Sequence, residues 1–553
     1  MNLLSNRVLA LGSTALLGAG GTGALLLAGS AAASANVPLS VTNLSDSGLG
    51  SLRQALLDAN SAPGQDVITF ATGVSGTISL LSDFPLLTEA IDLEGPGRSV
   101  ITIDGGWTQA GGPLSGHDVF DIDDGVSGAG TWTLSGFTVT GGNDSGEGWS
   151  GGGAIAARNS APLNISDVAL TANYSDRVGG AILLSGTGNV VITHSSITGN
   201  STAGGGGGLY ADTENYSTLT IINSDISNNT AGKFGGGLYL DTDGGNITIV
   251  GSTISNNSAL QGGGAITVTD LYVEGSLTIT DTVISGNHAG ENGGALYSDT
   301  DDGSIFITDS TISNNTAGGA GGGLYISSTG LGEIVIANST ISGNESTTGA
   351  GAMQLLSGSK MTLLQSTVTN NTGGGATVIG GVSIEADDLT LIGSIVAGNS
   401  GFDIGDGGAV APLSVTSQRT KDKGTKTPRN RPALTPSVSP ALVLASAAAE
   451  YSVIGEVDPA VTIVDGGGNK LGVADPKLGP LADNGGPTMT HALLAGSPAI
   501  NTGPNPVPTF TGNQFDQRGT GFARIVFGVA DAGAFELQEP IAPVVPVVPS
   551  FTG

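Results

Sequence analysis

The fold is decided by a short stretch at residues 221–229, which reads IINSDISNN. The same pattern returns as STISNN at residues 252–257 and again at residues 310–315. Its closing Asn recurs in steps of 27 to 30 residues along the centre of the chain. The repeated residues are Asn143, Asn173, Asn200, Asn229, Asn257, Asn287, Asn315, Asn344, Asn371 and Asn399. A period of this length indicates a stack of repeated units rather than several independent domains.

Two further motifs lie between successive closing Asn residues. A Gly-Gly pair followed by two larger residues occurs as GGAI at residues 179–182 and as GGLY at residues 236–239. A short alternation of apolar and polar residues follows, such as ITIV at residues 247–250. These apolar segments are rich in β-branched residues and alternate with a period of two, which is typical of strands. Gly and Thr dominate the remaining positions and disfavour helices.

Three short strands and three bends per 27–30 residues predict an all-β chain folded as a right-handed parallel β-helix. Equivalent strands would stack about 4.8 Å apart, so nine steps between the ten Asn residues would span about 43 Å. The right hand is expected by analogy with parallel crossovers. A leucine-rich repeat is the alternative fold, because its period reaches about 29 residues and its consensus also contains Asn. That fold commonly has a helical segment where this sequence has Gly-Gly and a further strand.

The closing Asn residues predict a structural ladder along the stack. A stacked Asn bonds the backbone within its bend, and its amide bonds the Asn residues above and below. Asn also tolerates the left-handed backbone conformation that a bend requires. The Gly-Gly pairs are expected to form tight corners, where a Cβ atom would clash. We therefore assign structural roles to both columns.

Composition excludes several classes of protein. The 553 residues include 94 Gly and no Cys, and the net charge is −30. Without Cys the chain has no disulfide, no thiol nucleophile and no Cys-ligated metal. The strong negative charge argues against nucleic acid as a partner. Collagen is excluded because there is no strict Gly-X-Y repeat.

The first 35 residues predict a secretory signal peptide. Arg7 is followed by an apolar run from Val8 to Ala28, and ASA at residues 33–35 is a small-residue cleavage site. An uncleaved membrane anchor is the alternative, because the apolar run is just long enough to span a bilayer. We expect cleavage and export to the bacterial cell surface or the extracellular medium. The mature chain is then expected to have no transmembrane helix.

The rest of the chain divides by composition. The predicted segments are an N-terminal cap with the first coils at residues 36–102, β-helix repeats at 103–415, a basic, Pro/Ser-rich disordered insertion at 416–449, C-terminal coils at 450–536 and a Pro/Val-rich tail at 537–553. Residues 51–60 predict a short amphipathic helix within the cap. The insertion carries six of the 17 cations within residues 419–431, which suits either a solvated loop or attachment to an anionic polymer.

The repeats resemble a known family. GGAI at residues 152–155, 179–182 and 263–266 alternates with an apolar-x-x-Asn motif. This combination is similar to the repeats of polymorphic outer membrane proteins. That family has Phe-x-x-Asn where this chain has mostly Ile-x-x-Asn, as in residues 226–229. The resemblance implies a secreted or surface-displayed β-helix, with adhesion as a recurring role.

Both ends of the chain add to this resemblance. Residues 46–60 resemble the N-terminal module that opens many bacterial surface β-helix proteins. Four motifs near the other end resemble the choice-of-anchor module that closes such proteins. They lie at residues 478–488, 496–500, 516–519 and 533–536. The family resemblance therefore covers most of the mature chain.

A row of tyrosines is the candidate binding site. Within the Gly-Leu-Tyr segments, the alternation points Leu inward and the following Tyr outward. The row comprises Tyr210, Tyr239, Tyr297 and Tyr325, and Thr267 interrupts it. Stacked exposed rings bind the faces of sugars or contact a protein partner. Lateral packing or simple ring stacking is the alternative.

Acidic residues follow these tyrosines in Asp-Thr-Asp-type bends. The candidate metal ligands are Asp212, Asp241, Asp243, Asp299, Asp301 and Asp302. Coils about 5 Å apart would bring the carboxylates together, and oxygen ligands of this kind suit calcium. Calcium is the single cofactor that the sequence suggests. The alternative is solvated turn chemistry, since Asp is favoured at bends.

These patterns favour an adhesin-like protein that binds an extracellular glycan or a surface protein through a regular face. A polysaccharide lyase or hydrolase with a pectate-lyase-like β-helix is one alternative, and a structural component of a surface matrix is another. We lean against an enzyme and assign no catalytic residue. Between residues 99 and 415 the only cations are Arg158, Arg177, Lys233 and Lys360, and none is expected to cluster with acids. The oligomeric state is not predicted.

Overall fold

The computed structural model describes residues 38–538 with several gaps. The gaps are residues 113–114, 126–129, 145–150, 214–216, 243, 270, 272–274, 301, 329–331, 357, 359, 386–388, 408–444, 509 and 511–513. The predicted signal peptide, most of the predicted insertion and nearly all of the predicted tail lie outside the described residues. The described chain winds into a right-handed parallel β-helix, which confirms the predicted fold class.

One coil shows the order of the strands. Leu219–Ile222 lies in sheet A, Asp225–Ser227 in sheet B, Thr230–Ala231 in sheet D and Leu238–Thr242 in sheet C. Each strand pairs in parallel with its equivalents in the neighbouring coils. The three predicted strands per coil are present. A fourth strand of two residues follows the bend at the closing Asn and forms the eight-stranded sheet D, which the sequence pattern did not predict.

Four parallel sheets and one hairpin contain all the described strands. Sheet A comprises Leu39–Val41, Asp66–Phe70, Ile91–Glu94, Trp132–Ser135, Leu163–Ser166, Val190–Thr193, Leu219–Ile222, Asn246–Val250, Ser276–Thr280, Ser304–Thr308, Ile334–Ala337, Met361–Leu364, Leu389–Ile392, Ala445–Glu450 and Val461–Gly467. Sheet B comprises Gly76–Ser79, Ile101–Asp104, Thr138–Thr140, Ala169–Thr171, Ser196–Thr198, Asp225–Ser227, Thr253–Ser255, Val283–Ser285, Thr311–Ser313, Thr340–Ser342, Thr367–Thr369, Ile395–Val396 and Val453–Ile454. Sheet C comprises Phe120–Ile122, Ile155–Arg158, Ile182–Ser185, Leu209–Thr213, Leu238–Thr242, Ile266–Thr269, Leu296–Thr300, Leu324–Ser328, Met353–Leu355, Ile379–Ile384 and Phe402–Asp406. Sheet D comprises Asn143–Asp144, Tyr174–Ser175, Ser201–Thr202, Thr230–Ala231, Ser258–Ala259, His288–Ala289, Thr316–Ala317 and Glu345–Ser346, and the antiparallel hairpin pairs Leu478–Ala482 with Thr490–Leu493.

The alternating residues of each coil fill one continuous core. In the coil quoted above, Ile221, Ile226 and Leu238 are fully buried inside the solenoid. The core extends from Val41 to Val461. Burying each large aliphatic side chain contributes about 1.5–3 kcal/mol relative to leaving it exposed. The repeat therefore stabilises the fold through neighbouring coils rather than through distant contacts.

The bends after sheet B use left-handed residues one position before the ladder Asn. At the bend after sheet B, Asn228 has φ 57° and Asn256 has φ 54°, and Gly286 fills the same position one coil later. The ladder Asn follows this residue. The tolerance of Asn for the left-handed conformation is therefore used by Asn228 and Asn256, which precede the ladder residues. The left-handed residue makes the turn, and the next side chain is left free to point into the stack.

The predicted N-terminal helix is present as Leu52–Ser61. The side chain of Ser51 caps it by accepting a hydrogen bond from the backbone N–H of Gln54 at 3.2 Å. Its buried face is Leu52, Ala55, Leu56 and Ala59, and it joins the solenoid core. The helix thus buries apolar residues at the first coils, where the sheets would otherwise begin with open edges.

The C-terminal part departs from the prediction in two ways. Ala445–Glu450 is a strand of sheet A, so the insertion does not extend to residue 449 as predicted. From residue 476 to residue 536 the chain stops coiling and folds back along the outside of sheet B, instead of forming the predicted coils. We call residues 476–536 the folded-back segment. Its Thr488 hydroxyl donates to the Asp309 carbonyl at 2.9 Å, and its His491 Nε2 lies 2.8 Å from the Ser342 hydroxyl.

Candidate functional site

The predicted Asn ladder is confirmed from Asn173 to Asn399. In a typical step, the backbone N–H and Nδ2 of Asn229 both donate to Oδ1 of Asn257 at 3.0 Å. The same Nδ2 donates to the Ile197 carbonyl of the preceding coil at 2.8 Å. Asn143 lies at the start of the column and is buried, and Asn173 Oδ1 accepts the neighbouring Gly142 N–H. The ladder is structural, because its side-chain hydrogen bonds lie within the stack.

A second ladder of hydroxyl groups was missed by the sequence analysis. In each step a backbone N–H donates to the hydroxyl one coil further on, as from Ser224 to Ser252 at 3.2 Å. The column comprises Ser195, Ser224, Ser252, Thr282, Ser310, Ser339, Ser366, Ser394 and Ser452. From Ser195 to Ser394 each member stands five positions before a ladder Asn, so its period was visible in the sequence.

The four candidate tyrosines point away from the main core, as predicted, but they do not face solvent. Tyr210 is 2% exposed, and Tyr239, Tyr297 and Tyr325 are fully buried. They stack in pairs along the outer face of sheet C. The ring centroids of Tyr210 and Tyr239 are 4.9 Å apart, and those of Tyr297 and Tyr325 are 5.2 Å apart. The prediction of an exposed aromatic stripe is wrong.

The loops between sheets D and C cover these rings. From these loops, Phe234 and Val178 pack with Tyr210 and Tyr239, and Ala320 packs with the other pair. Leu356, just after a strand of sheet C, also packs with that pair. Glycines let the loops approach closely: a Cβ atom at Gly205 would lie 2.9 Å from the Tyr239 ring. Sheet C is consequently buried on both faces. Period-two alternation distinguishes the two sides of a strand, but it does not show what covers the outer side.

Asp212, Asp241 and Asp299 follow the tyrosines on the same outer face of sheet C. Asp212 and Asp241 are register partners on neighbouring strands and are 4% and 0% exposed. Thr269 separates them from Asp299, and Asp302 is half-buried in the following turn. Asp243 and Asp301 lie outside the described residues. Among the residues that the structure describes, no group of three or more His, Cys, Asp or Glu is arranged to hold a metal ion. The calcium site stays a prediction.

The outer side of sheet A is a regular face that reaches solvent. We define the sheet A face as the outward residues of ten successive strands. They are Thr133, Ser135, Asn164, Ser166, Val191, Thr193, Thr220, Ile222, Thr248, Val250, Thr278, Thr280, Phe306, Thr308, Val335, Ala337, Thr362, Leu364, Thr390 and Ile392. All except the buried Ala337 are partly exposed, and all are uncharged. In a chain of net charge −30, this face is a neutral strip of hydroxyl and aliphatic groups.

A charged cluster lies at the N-terminal end of sheet C. Arg158 on the second strand is hydrogen-bonded to Asp121 on the first, and its guanidinium lies 3.9 Å from Oδ2 of Asp144. The expectation that Arg158 stands apart from acids is therefore wrong. Its partners are separated by 37 and 14 residues and fall outside the repeat period, which is why spacing did not reveal them.

Within this cluster, burial raises the pKa of Asp118 to about 7, and the negative charges of Asp144, Asp83 and Asp121 add to the rise. The Arg158 cation opposes it. Nδ1 of His117 lies 3.1 Å from Oδ1 of Asp83.

Two stacked aromatic rings adjoin the charged cluster. Trp107 and Tyr174 have centroids 4.8 Å apart and planes 5° apart. They are next to the charged residues because Gly142 bridges to His117, while its carbonyl accepts the Tyr174 N–H at 2.9 Å. A carboxyl that holds its proton near neutral pH, beside ionic partners and aromatic rings, has the elements of acid catalysis on a sugar.

A third charged group holds the folded-back segment to the solenoid. Arg524 is 1% exposed and donates to the Gly533 carbonyl at 2.7 Å. It is also hydrogen-bonded to Asn338, in the turn that follows the sheet A strand Ile334–Ala337. Burial raises the pKa of Glu536 to about 8, with the Asp531 charge adding to the rise. Burial likewise raises the pKa of Asp309 to about 7. At neutral pH, Glu536 is therefore mostly protonated and Asp309 is about half protonated.

Arg518 completes this third group. It is paired with Asp516, to which Nη2 donates at 2.5 Å, and lies between the rings of Phe522 and Phe535. Its Nη2 also donates to the Glu536 carbonyl at 2.6 Å. These residues belong to the motifs that resemble the choice-of-anchor module. The motifs thus form the internal packing and the docking contacts of the folded-back segment.

In the described part of the chain, no helix is long and apolar enough to cross a membrane. Comparison with known proteins gives two matches. Residues 125–310 match the family described as right handed beta helix region, and residues 309–327 match the Chlamydia polymorphic membrane protein repeat. No curated protein matches the chain significantly. The matches indicate a surface-exposed β-helix protein, and the likeness of residues 476–536 to a choice-of-anchor module stays a prediction. Together with the parallel coils, they show a right-handed β-helix whose repeats are similar to those of polymorphic membrane proteins.

Proposed function

We propose that the protein is an adhesin-like β-helix that binds a neutral glycan through the sheet A face. The observation that carries this proposal is the absence of charge from that face, although the chain carries a net charge of −30. The tyrosine stripe is not available for this role, because its rings are buried.

The chemistry of the sheet A face suits a regular, uncharged polymer. Outward threonines such as Thr220, Thr248 and Thr278 succeed one another at the strand spacing of about 4.8 Å. Hydroxyl groups both donate and accept hydrogen bonds, while Ile222 and Val250 beside them offer flat aliphatic contact. Acidic polymers are disfavoured because the rest of the molecule repels them.

The test is a binding assay with residues 36–553 on an array of neutral and acidic glycans. Binding to neutral glycans is expected, and it should be lost when Thr248→Glu and Thr278→Glu place charges at the centre of the face. Ser255→Glu on the outer side of sheet B is the matched control and should bind as the parent does. The proposal fails if no glycan binds, or if the sheet A variant binds unchanged. Capture of a protein partner by the same face would then favour a protein-binding adhesin.

A second candidate function, glycan cleavage, is favoured by the cluster around Arg158. Asp118 would be the general acid, since its pKa of about 7 leaves about half of it protonated at neutral pH. Asp121 and Asp144, held beside Arg158, are the candidate partners of this acid. The same glycans should be assayed for new reducing ends. Cleavage by the parent that Asp118→Asn abolishes would support this function, whereas products formed equally by Asp118→Asn would exclude this site.

A further inference from the structure

We propose that a pocket at the C-terminal end of the solenoid binds a single pyranose unit that carries a carboxylate. The pocket has a volume of about 310 Å³ and is lined by Tyr451, Gly468, Lys470, Asn501, Thr502, Gly503, Asn505 and Val529. It lies between the last turns of the solenoid and the folded-back segment. Its size is at the lower end of the range for small-molecule sites.

Tyr451 is the residue that singles this pocket out. It occupies the left-handed position of the turn from sheet A to sheet B, with φ 51°. In the preceding coils this position is filled by Gly136, Asp167, His194, Asn223, Gly251, Asp281, Asp309, Asn338, Gln365 and Gly393. A large aromatic side chain is unfavourable at positive φ, whereas Asn, Asp and Gly are common there. Strained residues of this kind concentrate at functional sites, because the fold has no other reason to keep them.

The surroundings keep the Tyr451 ring at the pocket. The side chain is 37% exposed, so one part of the ring remains open to a ligand. Gly468 makes room for it, because a Cβ atom at that position would lie 2.4 Å from Cδ1 of the ring. An aromatic face presented in this way suits the apolar C–H face of a sugar ring.

Polar groups of the pocket converge on the same space. In the part of the chain that the structure describes, the Tyr451 hydroxyl, the Lys470 ammonium and the Asn501 side-chain amide make no hydrogen bond or ion pair. Asn505 donates from Nδ2 to the Gly528 carbonyl at 3.0 Å, which leaves its Oδ1 as an acceptor. Lys470 is the one charged residue among those that line the pocket. The donors and acceptors suit sugar hydroxyls, and the single cation selects a sugar with a carboxylate.

This site is separate from the sheet A face, and its occupation does not depend on the proposed adhesin function. The experiment titrates residues 36–553 with D-glucuronic acid and, in parallel, with neutral D-glucose, and follows binding by ligand-observed NMR. Glucuronic acid should bind with a millimolar dissociation constant and at least about fivefold more tightly than glucose.

Variants separate a ligand site from mere packing. Lys470→Gln should remove the preference for glucuronic acid, while Lys360→Gln, an exposed lysine of the repeats, serves as the matched control and should change nothing. Tyr451→Asn installs the residue type found in equivalent turns, so the unfolding temperature should stay the same or rise while binding of both sugars is lost. The proposal is overturned if glucuronic acid does not bind the folded parent, if Lys470→Gln keeps the preference, or if Tyr451→Asn binds as the parent does.

Discussion

The attachment of the folded-back segment to sheet B is expected to weaken as the pH rises. Four carboxyl groups and two guanidinium groups lie together in and beneath this segment, all buried except the half-buried Asp309. They belong to Asp309, Asp516, Asp531, Glu536, Arg518 and Arg524. With Asp309 and Glu536 protonated, the group carries two fewer negative charges than when both are ionised. Loss of the two protons adds two negative charges to a low-dielectric interior, which is costly.

The size of the effect follows from the two raised pKa values. The pKa of Glu536 rises from 4.5 to about 8, and that of Asp309 rises from 3.8 to about 7. Between about pH 5 and pH 7, each carboxyl group is protonated when the segment is docked and ionised when it is released. Docking is therefore strongest below the ordinary pKa values, and it weakens as the pH rises through the values of the docked state. In this window, each group weakens docking by about 1.4 kcal/mol for every unit by which the pH rises.

Hydrogen exchange of two amides measures docking directly. The Gly533 N–H donates to the Gly393 carbonyl of the solenoid at 2.7 Å, and the Ala534 N–H donates to the Thr367 hydroxyl at 3.0 Å. Their protection factors, corrected for the intrinsic pH dependence of exchange, should fall by about a hundredfold per pH unit between pH 5 and pH 7. In Glu536→Gln one of the two protons no longer contributes, and the fall should be about tenfold per unit.

The control is Glu333→Gln, which changes an exposed carboxyl of the solenoid and should leave the parent slope intact. A protection factor that stays constant or rises with pH in the parent would refute the assignment of buried protons to this interface. The same conclusion would follow if Glu536→Gln kept the full slope.

Three further predictions concern the Asn ladder, the buried tyrosines and the hydroxyl ladder. Asn257→Ala should lower the free energy of unfolding, measured by urea titration, by about 3–5 kcal/mol. The reason is that two donors of Asn229 and the Ile226 carbonyl lose a buried partner. A loss below about 1 kcal/mol would show that the ladder is not a source of stability. Tyr239→Ala should cost about 3–5 kcal/mol because the ring is fully buried and stacked, and calorimetry should show a much smaller cost for Tyr239→Phe, which keeps the stack. An equal cost for the two substitutions would place the energy in the hydroxyl instead. Ser252→Ala should cost about 1–3 kcal/mol by the same urea titration, since it removes the acceptor of the Ser224 N–H, and a neutral effect would contradict a role for this column.

The solenoid itself could be predicted because its signals are local and repeated. The closing Asn spacing, the period-two apolar segments and the amphipathic pattern of residues 51–60 each specify structure from neighbouring residues. A repeat also supplies its own partner, since each coil packs on a copy of itself. Sheet order, core positions and the Asn ladder therefore followed from the period alone.

The surface could not be predicted in the same way, because coverage depends on residues outside the pattern. Tyr239 points outward from sheet C as the alternation requires, but Phe234 and the glycine-rich loop cover it. Arg158 meets Asp121 across 37 residues, and Gln517 meets Thr311 across 206 residues. Neither separation matches the period, so no spacing argument brings these residues together. The neutral sheet A face was visible in the sequence, but its importance emerged only when the tyrosines proved to be buried.

The end of the Asn ladder shows how a repeating stack is brought to a stop. Oδ1 of Asp403 accepts from the N–H and Nδ2 of Asn399 at 2.9 and 2.7 Å, as the next ladder Asn would. A carboxylate has no amide to offer the coil beyond, and Oδ2 of Asp403 instead accepts the Glu456 N–H at 2.8 Å. Gly455 is required there, because a Cβ atom would lie 1.9 Å from that oxygen. The carboxylate thus ends the Asn ladder, whereas sheet A continues beyond it with Ala445–Glu450 and Val461–Gly467 and sheet B with Val453–Ile454. After these strands the chain turns back along sheet B and covers strands that the repeat alone would leave exposed.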